Sequence, residues 1–251
     1  MDMRIASAMA TFIFATTAIL PGASGAPLPL TKAEIQIGLC APPERIVQAL
    51  DLQPRGAPID VWQFDDAALT LLERGVRLRV RGSKDGSSEF TLKVANQDCA
   101  RANPELIPSG EGKCEYDVYG ETASDTVSLT RRLSADDTAA LLAGRVAAMQ
   151  MLSRAQIRYL REVAGVWPLP PDLRSLGPIR VQTYRTKGAA YDVDISQLPG
   201  GEQYAEISRK VPRADAARAM KIMEENLSRA GVEKCAGQSS QAGEKLRSLV
   251  R

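Results

Sequence analysis

Along much of the chain, apolar and polar residues alternate one by one, the period at which successive side chains leave opposite faces of a β-strand. The strictest case is Val76-Arg-Leu-Arg-Val-Arg81, where Arg77, Arg79 and Arg81 take one face and Val76, Leu78 and Val80 the other. Residues 33–39 alternate likewise, with Glu34 and Gln36 on one side, and residues 59–64 form a further apolar-rich strand. In residues 89–94, Thr91 and Lys93 share a face opposite Phe90, Leu92 and Val94. Residues 113–119 set Lys113, Glu115, Asp117 and Tyr119 together. Three later stretches, 178–185, 190–195 and 203–208, repeat the pattern; the first carries Arg180, Gln182 and Tyr184, the second Asp192 and Asp194.

Helical spacing fills the gaps. Pro43 suits the first turn of a short helix with Ile46, Val47 and Leu50 on its apolar side. Asp65 and Asp66 cap a second carrying Leu69, Leu71 and Leu72, which Gly75 stops. Ser134 caps a third, running through Ala139, Leu142, Val146 and Met149. Residues 157–163 fit a strand or a helical continuation equally. Pro212 opens an amphipathic helix striped by Ala216, Ala219, Met220, Met223 and Leu227 and ended by Gly231; the tail from Gln241 adds a short basic helix. Asp85-Gly86 marks a hairpin between the arginine strand and its neighbour. Residues 96–112 read as a loop, and Trp167-Pro-Leu-Pro-Pro171 as a stiff connector between two halves.

An open sheet with these polar faces outward would still have an apolar reverse side to cover. Rolling it into an antiparallel barrel, charged faces inward and helices packed outside, satisfies both faces. The predicted fold class is therefore α+β, and its mixed-charge lumen calls for a charged occupant.

Composition narrows the chemistry. The 251 residues are 44% apolar and 25% charged, ordinary for a soluble globular protein. A net charge of +2 argues against nonspecific nucleic-acid binding. The chain has no histidine, which excludes Ser-His-Asp and Cys-His catalysis and any His-ligated zinc site. Arg4, the apolar run from Ile5 to Leu20 and the small residues after Pro21 read as an export signal over residues 1–25. Residues 26–251 then form one exported domain, periplasmic or secreted, with no membrane span after signal removal. Cys40, Cys99, Cys114 and Cys235 are an even set, as disulfides in an exported chain require. Cys99 and Cys114 flank the loop and could staple it, worth roughly 3 kcal/mol in the chain-entropy model; Cys40 and Cys235 would then pair, although three connectivities are open.

Several of these stretches together resemble the CYTH superfamily, the triphosphate tunnel proteins. Phe64-Asp65-Asp66, Leu69 to Leu72, Gly75 and Leu78-Arg79-Val80-Arg81 are similar to the family's strand–helix–strand element. Thr91-Leu92-Lys93 resembles the strand after it, Lys113-x-Glu115-x-Asp117 the Arg-x-Glu-x-Glu strand, and Ala205-Glu206-Ile-Ser208 the late Glu-x-Glu strand. The resemblance implies an eight-stranded antiparallel tunnel. It implies phosphate binding by Arg79, Arg81, Lys93 and Arg180, and Mg²⁺ or Mn²⁺ held by Glu34, Glu115, Asp117 and Glu206. The first motif departs from the family pattern as Glu34-Ile-Gln36-Ile-Gly38, and the late one as Glu206-Ile-Ser208.

Expected from this is an exported tunnel domain that binds a phosphorylated or polyanionic small ligand with little or no hydrolysis. Beside it stand a divalent-metal-dependent triphosphate or organophosphate hydrolase, and a noncatalytic envelope protein. In the last, Glu115 and Asp117 simply pair with Lys93 or Arg79 across strands.

Overall fold

Among the described residues, nine strands close into one ring. The computed structural model describes residues 32–83, 85–99, 112–120, 122–188, 190–236 and 241–250; the export signal and most of the loop before Gly112 lie outside the described residues. In chain order these hold β1 (Lys32–Leu39), α1 (Pro43–Ala49), β2 (Leu52–Pro54), β3 (Ile59–Asp65), α2 (Thr70–Glu73), β4 (Val76–Gly82) and β5 (Ser88–Val94). Then come β6 (Gly112–Tyr119), β7 (Thr122–Leu133), α3 (Ala135–Leu142), α4 (Arg154–Glu162), β8 (Arg174–Thr186), β9 (Asp192–Gln197), β10 (Gln203–Pro212), α5 (Ala216–Arg229) and α6 (Gln241–Leu246). The strand order is β2-β8-β3-β4-β5-β7-β6-β1-β10-β9, and a β8–β9 pairing closes the ring, leaving β2 as an extra edge on β8.

The barrel is thus as expected in class, but it has nine strands rather than eight and is not wholly antiparallel. The added strand is β7, which the alternation did not reveal. A closed ring of antiparallel neighbours needs an even number of strands, so a ninth forces one parallel contact. It falls between β1 and β6, where Glu34 is the register partner of Asp117.

Period-two alternation divides the strands as predicted. The outer faces of β4, β5 and β7 bury Leu78, Val80, Phe90, Leu92 and Leu129 beneath Leu141 of α3 and Tyr159 and Leu160 of α4. The outer faces of β1, β9 and β10 bury Ile35, Val193 and Ile207 beneath Met220, Met223 and Leu227 of α5. A third cluster sets Leu246 of α6 against Val61, Ile179, Val181 and Tyr204, several of which also line the barrel interior.

Local chemistry explains most of the connections. Asp65 accepts hydrogen bonds from the Leu71 and Leu72 amides, and Asp66 from the Thr70 amide, so the two acids start α2 as the sequence suggests. Ser134 accepts from the Asp137 amide at the start of α3. That helix ends at Leu142, short of the expected Val146 and Met149, where Gly144 takes a positive φ of 68°. Residues 154–162 resolve as a helix, with Ser153 and Gln156 forming a capping box.

Two disulfides are present, Cys40–Cys235 with Cα atoms 4.9 Å apart and Cys99–Cys114 with Cα atoms 6.0 Å apart. Among the described residues, no helix is long and apolar enough to cross a membrane.

Candidate functional site

The barrel encloses a cavity of about 390 Å³ lined mainly by charged and hydroxyl side chains. Arg77, Arg79 and Arg81 of β4 reach it together because alternation holds their apolar neighbours outside. Burial, then the charges of Arg81 and Arg77, pull the Arg79 guanidinium below its ordinary pKa, while Glu34 and Glu89 oppose the shift. Desolvated like charges in one row are held only at a cost, and that cost falls when an anion lies among them.

An acidic corner completes the site. Glu34, Glu115 and Asp117 each place a carboxylate oxygen within 4.8 Å of the others. The register creates it: Lys210 of β10 is opposite Glu34 of β1, which is opposite Asp117 of β6. Lys93 Nζ lies 2.7 Å from Asp117 Oδ2, and Lys113 Nζ 2.7 Å from Glu115 Oε2. Lys210 Nζ lies 2.7 Å from Glu115 Oε1 and 3.9 Å from Glu34 Oε2. Burial works against ionisation of Glu115, yet hydrogen bonds from Lys113 and Lys210 hold its carboxyl down at about 2. Glu34 shifts the other way, since burial outweighs the attraction of Lys210 and Lys93.

The corner has the make-up of a hard-cation site. Such ions take oxygen ligands, and the three carboxylates supply them at close quarters. Asp117 is 2% exposed and its Oδ1 has no hydrogen-bond partner among the described residues, an orphan that a cation would satisfy. Glu206 lines the cavity but stands outside this group of three.

Of the predicted phosphate-binding residues, Arg79, Arg81 and Lys93 line the cavity. Arg180 does not. Its neighbours Ile179 and Val181 line the lumen, so Arg180 is exposed on the opposite face, opposite Asp60 and Gln197. The cross-strand pairing foreseen for Asp117 and Lys93 is present.

Other lumen residues escaped the sequence reading. Lys210 lies beyond the predicted end of its strand, although Glu206, Ser208 and Lys210 continue one alternation. Ser128 and Thr130 come from the unforeseen β7. Asp194 lines the cavity and accepts a hydrogen bond from Thr183 Oγ1 at 2.6 Å. Tyr119 and Tyr204 also line it. Burial raises the phenol pKa of each, that of Tyr204 to about 12, so both stay neutral hydrogen-bonding groups.

No family model matches the sequence, and no curated protein matches it. Solved structures do. An adenylyl cyclase-type protein from Hippeastrum, described as having a dominant triphosphatase activity, is 18% identical, with a TM-score of 0.54 over 86% of this chain and 95% of that one. An adenylate cyclase-type protein from Bacillus halodurans is 15% identical, with a TM-score of 0.52 over 84% of this chain and 96% of that one. At these identities the likeness shows the fold, a CYTH-like closed barrel.

Proposed function

We propose that the protein binds a phosphorylated or polyanionic small ligand in its tunnel and hydrolyses it little or not at all. The observation that carries this reading is the row Arg77, Arg79 and Arg81 inside the barrel cavity, with the central guanidinium desolvated between its neighbours. A multiply charged anion is the partner that relieves such a row, and guanidinium forks match phosphate oxygens in pairs. The barrel's likeness to a protein with triphosphatase activity is consistent with a triphosphate-type ligand. Export to the periplasm or medium, after loss of residues 1–25, fits the two disulfides.

The test is thermal. Tripolyphosphate should raise the melting temperature of the mature chain, and Arg79→Ala/Arg81→Ala should abolish the rise. Equal melting curves with and without tripolyphosphate would sink the proposal.

One observation favours a second reading, a hydrolase dependent on Mg²⁺ or Mn²⁺: the orphaned Asp117 Oδ1 beside Glu34 and Glu115. Those three carboxylates would hold the ion, which would neutralise charge on a transferring phosphoryl group. The arginine row would fix the phosphates, and Lys93 would orient Asp117. Against efficient turnover stand Gln36, Gly38 and Ser208, neutral where the resemblance implies charge. Metal-stimulated phosphate release that disappears in Glu34→Ala/Glu115→Ala would favour this reading over simple binding.

A further inference from the structure

The acidic corner already holds cations of its own. Three carboxylates, Glu34, Glu115 and Asp117, face three ammonium groups, Lys93, Lys113 and Lys210. The lysines differ in how they sit. Lys93 holds one oxygen of Asp117 and Lys113 one oxygen of Glu115. Lys210 reaches two carboxylates, Glu115 at 2.7 Å and Glu34 at 3.9 Å, and so bridges members of the group as a bound ion would.

Its place is set by the backbone. Lys210 shares the lumen face of β10 with Glu206 and Ser208, and the β1–β10 register puts it opposite Glu34. Its side chain is 51% exposed, so the ammonium approaches the corner from the mouth of the cavity. A flexible four-carbon stem lets it swing into water without unpacking the barrel. Entry of a divalent ion between Glu34 and Glu115 therefore requires Lys210 to leave, since two cations a few ångströms apart repel.

We propose that Lys210 is an internal cation occupying the position between Glu34 and Glu115 that a divalent ion would take, and thereby determines the metal affinity of the tunnel. The inference rests on the oxygen-ligand corner of the function proposed above, and on neither anion binding nor hydrolysis. It makes Lys210 a selectivity residue: the corner favours its tethered ammonium over free Mg²⁺ or Mn²⁺.

The experiment uses the full mature chain, with Lys210→Met, Lys210→Gln and Lys210→Arg, titrated with Mn²⁺ alone and followed by the electron paramagnetic resonance of free Mn²⁺. Lys210→Met and Lys210→Gln should each bind Mn²⁺ about tenfold or more tighter than the parent, one full step on the affinity scale. Lys210→Arg should stay as weak as the parent, and adding Glu34→Gln to Lys210→Met should cancel the gain. Mn²⁺ binding that is no tighter in the folded Met or Gln variant overturns the inference. A parallel titration with tripolyphosphate in EDTA separates the two proposals. If tripolyphosphate binds no variant while Mn²⁺ binding tightens, the anion reading falls and the role of Lys210 stands.

Discussion

Lys93 Nζ lies 2.7 Å from Oδ2 of Asp117, a carboxylate whose side chain is only 3% exposed. The pair spans the lumen faces of β5 and β6, with β7 between them in the sheet. Removing one member leaves a charge in a site built for two, which is costlier than removing both. Lys93→Met should destabilise the protein by about 3 kcal/mol, and Lys93→Met/Asp117→Leu by clearly less. Urea denaturation of the two single variants and the double variant gives the coupling. A double variant as unstable as the sum of the singles would refute the pairing as an energetic unit.

Acid sensitivity should arise at the start of α2. Burial opposes ionisation of Asp66, but hydrogen bonds from the Thr70 hydroxyl and amide outweigh it and hold the carboxyl below its ordinary range. A carboxyl depressed on folding stabilises the native state above its unfolded value of about 3.9, and that contribution is lost as pH falls through the folded value. Thr70→Val should therefore cost about 1 kcal/mol at neutral pH, and the gap from the parent should shrink at pH about 3. Denaturation at both pH values checks it; an equal gap at each would disprove the linkage.

The Cys40–Cys235 bridge closes a sequence separation of 195 residues, tying the end of β1 to the chain beyond α5. Hydrogen bonds from the Cys40 amide to the Glu233 carbonyl and from the Cys235 amide to the Gly38 carbonyl flank it. Cys40→Ser/Cys235→Ser should lower stability by about 2–4 kcal/mol, chiefly by freeing the unfolded chain. Calorimetry of the oxidised parent and the variant gives the difference, and matching melting temperatures would contradict it.

Gly177 sits where the β3–β8 register shifts, at φ 148°. A Cβ there would lie 2.9 Å from the Val61 carbonyl oxygen and 3.2 Å from the Trp62 ring. Gly177→Ala should cost about 2 kcal/mol or more, because both the backbone angle and the close approach exclude a methyl group. A variant with the parent's denaturation midpoint would show that the two strands part more easily than this packing implies.

The arginine row was legible because Val76, Leu78 and Val80 alternate with it without interruption, and the acidic residues of β6 for the same reason. On β8 the polarity is reversed: Ile179 and Val181 line the lumen and Arg180 faces out, so the rule that polar faces turn inward misplaces Arg180. Strand β7 opens with Thr-Ala-Ser-Asp-Thr, polar or small on both faces, and Val127, Leu129 and Leu133 mark its buried side only further on. Lys210 needed only two more residues of an alternation already seen. Its partnership with Glu34 and Glu115, however, depends on strands that meet only in three dimensions.

The parallel contact between β1 and β6 has a consequence for when the site comes into being. Glu34 and Asp117 are neighbours only across that seam, which joins the first described strand to one from the middle of the chain. Hairpins such as β4–β5 and β6–β7 can form from local sequence, whereas this contact waits for distant segments to meet. A chain with its hairpins built but its ring still open would carry the arginine row and lack the acidic corner. Cation capture at Glu34, Glu115 and Asp117 would then report that this seam of the cylinder has shut, and would hold it shut.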